Sequence, residues 1–95
     1  MNYQEIYNNL INRALSRVNI VYVEKHHIVP QCLGGTDDES NLVDLTPEEH
    51  FVAHQLLAKI HPTNTRILNI EKMMTVVFAF GGLYYKLPNH RSQDE

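Results

Sequence analysis

The sequence predicts an α+β domain in which two paired strands and a helix are flanked by further helices. Three observations carry that expectation. Helical periodicity runs over residues 3–18, a β-branched and aromatic run gives way to Pro30 and Gly34-Gly35, and residues 46–49 mark a helix start. With 95 residues, 43% apolar and 20% charged, the chain supports one core and leaves little room for a second domain.

Tyr3, Ile6, Tyr7, Leu10, Ile11, Ala14, Leu15 and Val18 recur at three- and four-residue steps, the period of a helix with one buried face. Arg13 and Arg17 lie one turn apart on it and share a face. Ile20-Val21-Tyr22-Val23 favours a pleated, half-buried surface, so a strand is expected from about residue 20 to His27. Pro30 restricts Val29 to extended geometry, Gly34-Gly35 marks a turn, and residues 36–40 read as a solvated loop. Asn41 to Leu45 alternates again and reads as a short strand pairing with the first.

Thr46-Pro47-Glu48-Glu49 is a capping box with proline at the first helical position. The helix it opens is expected over 47–60, with Phe51, Val52, Leu56 and Ile60 making its apolar contacts and Pro62 behind its end. Asn64 or Thr65 can cap a last helix over 65–80. Its inner stripe is Ile67, Ile70, Met74, Val77 and Phe78, and Gly81-Gly82 ends it. Leu68, Met73 and Phe80 widen that stripe, so this helix is a core element first and the expected surface for a homodimer second. The polar tail from Lys86 to Glu95 is expected to be loose.

Several classes are excluded by composition. The single cysteine, Cys32, rules out a disulfide framework or a four-cysteine zinc site within the chain. The polar, amphipathic start lacks the build of a signal peptide. The longest uncharged run, Met73 to Tyr85, has 13 residues where a bilayer needs about 20. A soluble protein without a membrane partner, acting in the cytoplasm, is the expectation. The net charge of −3 argues against a globally basic nucleic-acid binder, so any contact with a polyanion must be local or metal-assisted.

The chemistry concentrates in four histidines. His26-His27 closes the first strand, and His50 and His54 stand four apart on the capped helix, one turn above each other. Adjacent strand residues point to opposite sides, so His26 and His27 cannot share a job. Two histidines at i and i+4 are a known ligand spacing for a divalent metal. A third ligand from the strand leaves positions open for water or a substrate oxygen. An unligated histidine beside that metal suits proton transfer from water near neutral pH. Metal and base together suit hydrolysis of a phosphate ester, because the ion neutralises charge on the reacting phosphate.

Glu24-Lys25-His26-His27-Ile28-Val29-Pro30, Gly34-Gly35, Asn41-Leu42-Val43-Asp44-Leu45 and Glu49-His50-Phe51-Val52-Ala53-His54 resemble the signature of HNH endonucleases, closest to small phage and homing-type members. The resemblance implies a ββα-metal (His-Me finger) core over about 20–60: two antiparallel strands, a connecting loop and a helix around one divalent ion. It implies His27 as the general base, His26, His50 and His54 as metal ligands, and Asn41 as the residue that orients the loop and the base. Glu24 matches an acidic position that orients a ligand from behind. Taken alone, Asn41 has a second reading as an ordinary turn residue starting a strand, and Glu24 reads equally as a solvated strand residue.

The function so implied is metal-dependent hydrolysis of DNA, as nicks or double-strand breaks, leaving a 5′ phosphate and a 3′ hydroxyl. The ion is one of Mg²⁺, Mn²⁺, Ni²⁺ or Zn²⁺, the partner is DNA, and the compartment is the host cytoplasm for a phage-encoded chain. Lys25, Arg13 and Arg17 are the candidate phosphate contacts, with Lys25 nearest the site. The cysteine pairs of many HNH domains and an appended DNA-reading module are missing from the pattern. The alternative from another class is a metal-stabilised DNA-binding or assembly module, such as a phage packaging accessory, with the histidines holding zinc structurally.

Overall fold

The computed structural model describes residues 1–18 and 22–79. Among them the order is α1 (Tyr3–Ser16), β1 (Glu24–His27), β2 (Leu42–Leu45), α2 (Pro47–Ile60) and α3 (Thr65–Ala79), with short 3₁₀ turns at Gln31–Leu33 and Glu39–Asn41. The two strands pair antiparallel with His26 opposite Val43 and His27 opposite Leu42. Both α1 and α3 pack on α2, and α1 also touches β2. Helix α2 is therefore the central element. No helix of the described residues is long and apolar enough to cross a membrane.

The capping box forms as its residue types require. Thr46 Oγ1 accepts from the Glu49 N–H at 3.2 Å, and Glu49 Oε1 accepts from the Thr46 N–H at 2.9 Å. Asn2 caps α1 through Glu5, and Asn64, rather than Thr65, caps α3 by accepting from the Ile67 N–H at 3.1 Å. Of the two glycines at the turn, Gly34 has φ +92°. Gly35 is pressed so close to the Val29 carbonyl that a Cβ would lie 1.7 Å from its oxygen. The first needs left-handed backbone and the second needs the missing side chain.

Several expectations shift. Helix α1 stops at Ser16, two residues early, and the buried set is Tyr7, Leu10, Ile11 and Ala14. Leu15 and Val18 are 55% and 77% exposed. The reason is Arg17, whose extended backbone turns its guanidinium onto the Glu49 carboxylate at the start of α2. On α2 the packing face runs through His50, Ala53, His54 and Leu57 beside the expected Leu56, with Phe51 half-buried and Val52 39% exposed. On α3 Ile67 and Met74 are buried, while Met73 and Val76 face outward. Of the residues on which the expected pairing of two chains rests, Met73 is exposed and Leu68 packs half-buried against the core. The first strand starts only at Glu24, with Tyr22 and Val23 ahead of it outside the ladder; the expected strand residues 20 and 21, Phe80, the Gly81-Gly82 end and the tail lie outside the described residues.

The core joins Tyr7, Leu10 and Ile11 of α1 to Val43 and Leu45 of β2, Ala53 and Leu57 of α2 and Ile67 of α3. This apolar layer closes one side of the histidines. Five polar side chains are buried with it: Glu24, His26, His27, His50 and His54. Burying so many polar groups costs free energy unless each is paired or liganded, so their partners define the site.

Candidate metal centre

Strand β1 sorts its residues by the period of two. Glu24 and His26 face α2, and Lys25 and His27 face away from it. On the first face, the His50 Nδ1–H donates to Glu24 Oε1 at 2.7 Å, with the carboxylate 1% exposed and the imidazole fully buried. The Tyr22 hydroxyl stands 3.4 Å from the other oxygen, Glu24 Oε2. Because Nδ1 keeps its hydrogen to donate to Glu24, a neutral His50 carries its lone pair on Nε2. That Nε2 stands 3.2 Å from Nε2 of His54. The ring of His26 meets both others edge-on, with centroids 5.2 Å from each.

One nitrogen from each of His26, His50 and His54 lies within 4.8 Å of the others. Two nitrogens bound to one tetrahedral ion at about 2.0–2.1 Å stand about 3.3 Å apart, close to the His50–His54 spacing. Three neutral imidazoles suit a borderline first-row ion such as Zn²⁺ or Ni²⁺ and leave a position open for water or substrate. The buried carboxylate behind His50 fixes the ring's tautomer and orientation. The donor set fits a divalent cation.

On the opposite face His27 is buried, and its Nε2 lies 2.7 Å from Asp37 Oδ1. Asp37 also accepts from Gln31 Nε2 at 3.0 Å and is itself 79% exposed. The hydrogen bond with His27 holds the Asp37 carboxyl below its ordinary range against a smaller desolvation effect, with Gln31 adding to it. Asn41 spans the loop between the strands. Its Oδ1 accepts from the Val29 N–H at 2.9 Å, and its Nδ2 donates to the carbonyls of Val29 and Thr36 at 3.0 and 2.9 Å. Its backbone carbonyl accepts from the Ile28 N–H at 2.8 Å. One amide thus closes the segment that leaves His27.

The candidate phosphate contacts separate. Lys25 pairs across the hairpin with Asp44 at 3.1 Å, both half-exposed. Arg13 is exposed on α1. Arg17 is engaged by both oxygens of Glu49 and by the Asp44 carbonyl, which commits it to joining α1 to α2. Sequence reasoning missed Tyr7, Tyr22, Gln31 and Asp37. Tyr7 carried a readable signal, since a hydroxyl on a core stripe must find a partner. Nothing in the polar composition of residues 36–40 singled out Asp37.

Fold and site together define an α+β unit whose hairpin and central helix bring three buried imidazoles to one point, with a fourth on the other side of the strand. Comparison with known proteins adds relatives. The chain is 51% identical over 81 residues to "Probable mobile endonuclease E" of Enterobacteria phage T4, covering 84% of this chain and 50% of that protein. It is 54% identical over 78 residues to "Probable mobile endonuclease B" of the same phage, covering 77% and 30%. Over 51 residues it is 47% identical to "Uncharacterized 38.5 kDa protein in psbA intron 1" of Chlamydomonas moewusii, covering 53% and 15%. The chain spans half or less of the length of each of these relatives. No family model and no solved structure matches it.

Proposed function

We propose that this chain is a divalent-cation-dependent nuclease unit of the HNH, ββα-metal kind, hydrolysing DNA phosphodiester bonds. The observation that carries the reading is the division of β1: three imidazoles with one nitrogen each within 4.8 Å of the others on one side, and His27 against an exposed carboxylate on the other. The names of the phage relatives support a nuclease of mobile DNA.

In this reading His26, His50 and His54 hold the cation, and Glu24 orients His50. When bound, the cation supplies Lewis-acid stabilisation of a phosphoryl oxygen and of the leaving oxygen. His27 takes the proton of the attacking water, and Asp37 holds its ring in the absence of substrate. Asn41 fixes the backbone that carries His27. Cleavage leaves a 5′ phosphate and a 3′ hydroxyl. Substrate approaches the Lys25–His27 face, where Lys25 supplies local positive charge to a chain that is acidic overall.

The test is supercoiled plasmid incubated with Mg²⁺, Mn²⁺, Ni²⁺ or Zn²⁺, with and without chelator. Nicked or linear product is expected with at least one ion and none with chelator. The variant His27→Ala keeps cation binding and loses cleavage, and its full activity would remove the base assignment. A second reading, a structural zinc site, has its own support, since His26, His50 and His54 are all buried. It wins if no ion gives cleavage while zinc removal unfolds the chain.

A further inference from the structure

Helix α1 contributes one buried polar atom to the histidine cluster. Tyr7 packs in the core and is 3% exposed. Its hydroxyl lies 2.7 Å from the Ile28 carbonyl oxygen and 2.8 Å from His26 Nε2. A phenylalanine would fill the same core position without burying a hydroxyl, so the oxygen points to a polar task.

Counting hydrogens identifies it. A phenol has one hydrogen to donate, and a carbonyl oxygen can only accept, so that hydrogen goes to Ile28. Toward His26 the phenolic oxygen therefore accepts, and Nε2 carries the ring proton. In a neutral imidazole the lone pair then falls on Nδ1. Glu24 does the converse to His50, accepting from the Nδ1–H and leaving the lone pair on Nε2. Ligating histidines are commonly held this way, by a partner on the nitrogen that does not bind the ion.

We propose that Tyr7 is a positioning residue for the cation site. Its hydroxyl fixes His26 as the Nε2–H tautomer, makes Nδ1 the ligand atom, and through Ile28 ties α1 to the chain leaving β1. The inference rests on the cation reading of the cluster and adds α1 to the machinery.

The experiment uses the full chain labelled with ¹⁵N. Long-range ¹H–¹⁵N histidine spectra at about pH 8, where imidazoles are neutral, report the tautomer directly. His26 as Nε2–H in the wild type is the expected result, and Nδ1–H overturns the proposal without any variant. Tyr7→Phe is then expected to lose that preference and to bind Co²⁺ or Zn²⁺ about 10–100-fold more weakly, with an altered Co²⁺ visible spectrum. Unchanged affinity and an unchanged Co²⁺ spectrum in a folded Tyr7→Phe protein overturn the positioning role. Should the wild type bind neither ion, the cation reading itself fails, and the tautomer spectrum shows that failure separately from an error in the hydrogen count.

Discussion

The two faces of β1 differ in how their polar groups are satisfied. Toward α2, Glu24 and His26 meet His50, His54 and Tyr7, all buried, and the hydroxyl of the more exposed Tyr22 at the edge. On the other side, Lys25 and His27 are paired with Asp44 and Asp37, which are 51% and 79% exposed. A closed set of partners holds geometry, because each group there has nowhere else to turn. An exposed partner can be exchanged for a substrate atom at little cost, since water and salt already compete for it. In the proposed reading the strand separates holding from acting by side-chain parity alone. Substitutions on the first face should change cation affinity, and those on the second should change only what is done with the cation in place.

The largest effect is expected for His50→Ala. It deletes one imidazole and leaves the Glu24 carboxylate buried without its 2.7 Å donor, a loss that costs about 1–3 kcal/mol or more for a charged group. Calorimetric titration should show cation binding lost, and the thermal midpoint should become insensitive to chelator. Retained affinity would mean that the ion is held elsewhere. Glu24→Gln is milder: it keeps the shape and an acceptor but not the charge, and cation affinity should fall about 10–100-fold. An equal fall on His27→Ala would break the distinction between the faces.

The α+β order and α2 were legible because they rest on local chemistry: the Thr46–Glu49 box, Pro47, and the three- and four-residue spacing in α1. The i, i+4 pair on α2 is likewise local, as is the opposite facing of His26 and His27. What escaped reading depends on distant contacts. That α2 buries its histidines, with Val52 left exposed, follows from Glu24 and His26 lying opposite them on β1. Asp37 reaches His27 only because Asn41 folds the intervening loop. Arg17 offered itself as a phosphate contact, and only the arrival of α2 beside α1 reveals Glu49 as its partner.

That ion pair gives the next prediction. The hydrogen bonds from Arg17 hold the Glu49 carboxyl below its ordinary value, opposed by desolvation and assisted by the Thr46 N–H. A depressed carboxyl stabilises the fold fully above its unfolded value, about pH 4.5, and that contribution is lost as pH falls through the lower folded value. Arg17→Ala should therefore cost on the order of 1 kcal/mol at neutral pH and flatten the acid limb of the stability profile. Urea denaturation across pH 3–7 measures both. Cation affinity should stay at its native value, because the pair joins helices and touches neither face of β1. A coupled loss would show that the closed face depends on the α1–α2 joint.

Lys25→Ala should have the smallest effect on the fold, and for that reason it tests the open face most cleanly. The Lys25–Asp44 pair is half-exposed on both sides, and such pairs contribute about 0–1 kcal/mol, so the thermal midpoint should barely move. Cation affinity should not move either. In DNA binding the charge counts differently: a lysine that meets a phosphate releases a counterion, and its removal lowers the slope of log affinity against log salt by about one. Asp44 must give up Lys25 for that contact to form, so Asp44→Asn should strengthen DNA binding while Lys25→Ala weakens it. Opposite signs for the two variants, at constant cation affinity, would make Lys25 part of the substrate face. Equal and negligible effects would return the pair to a simple cross-strand contact and narrow the acting face to His27 and its loop.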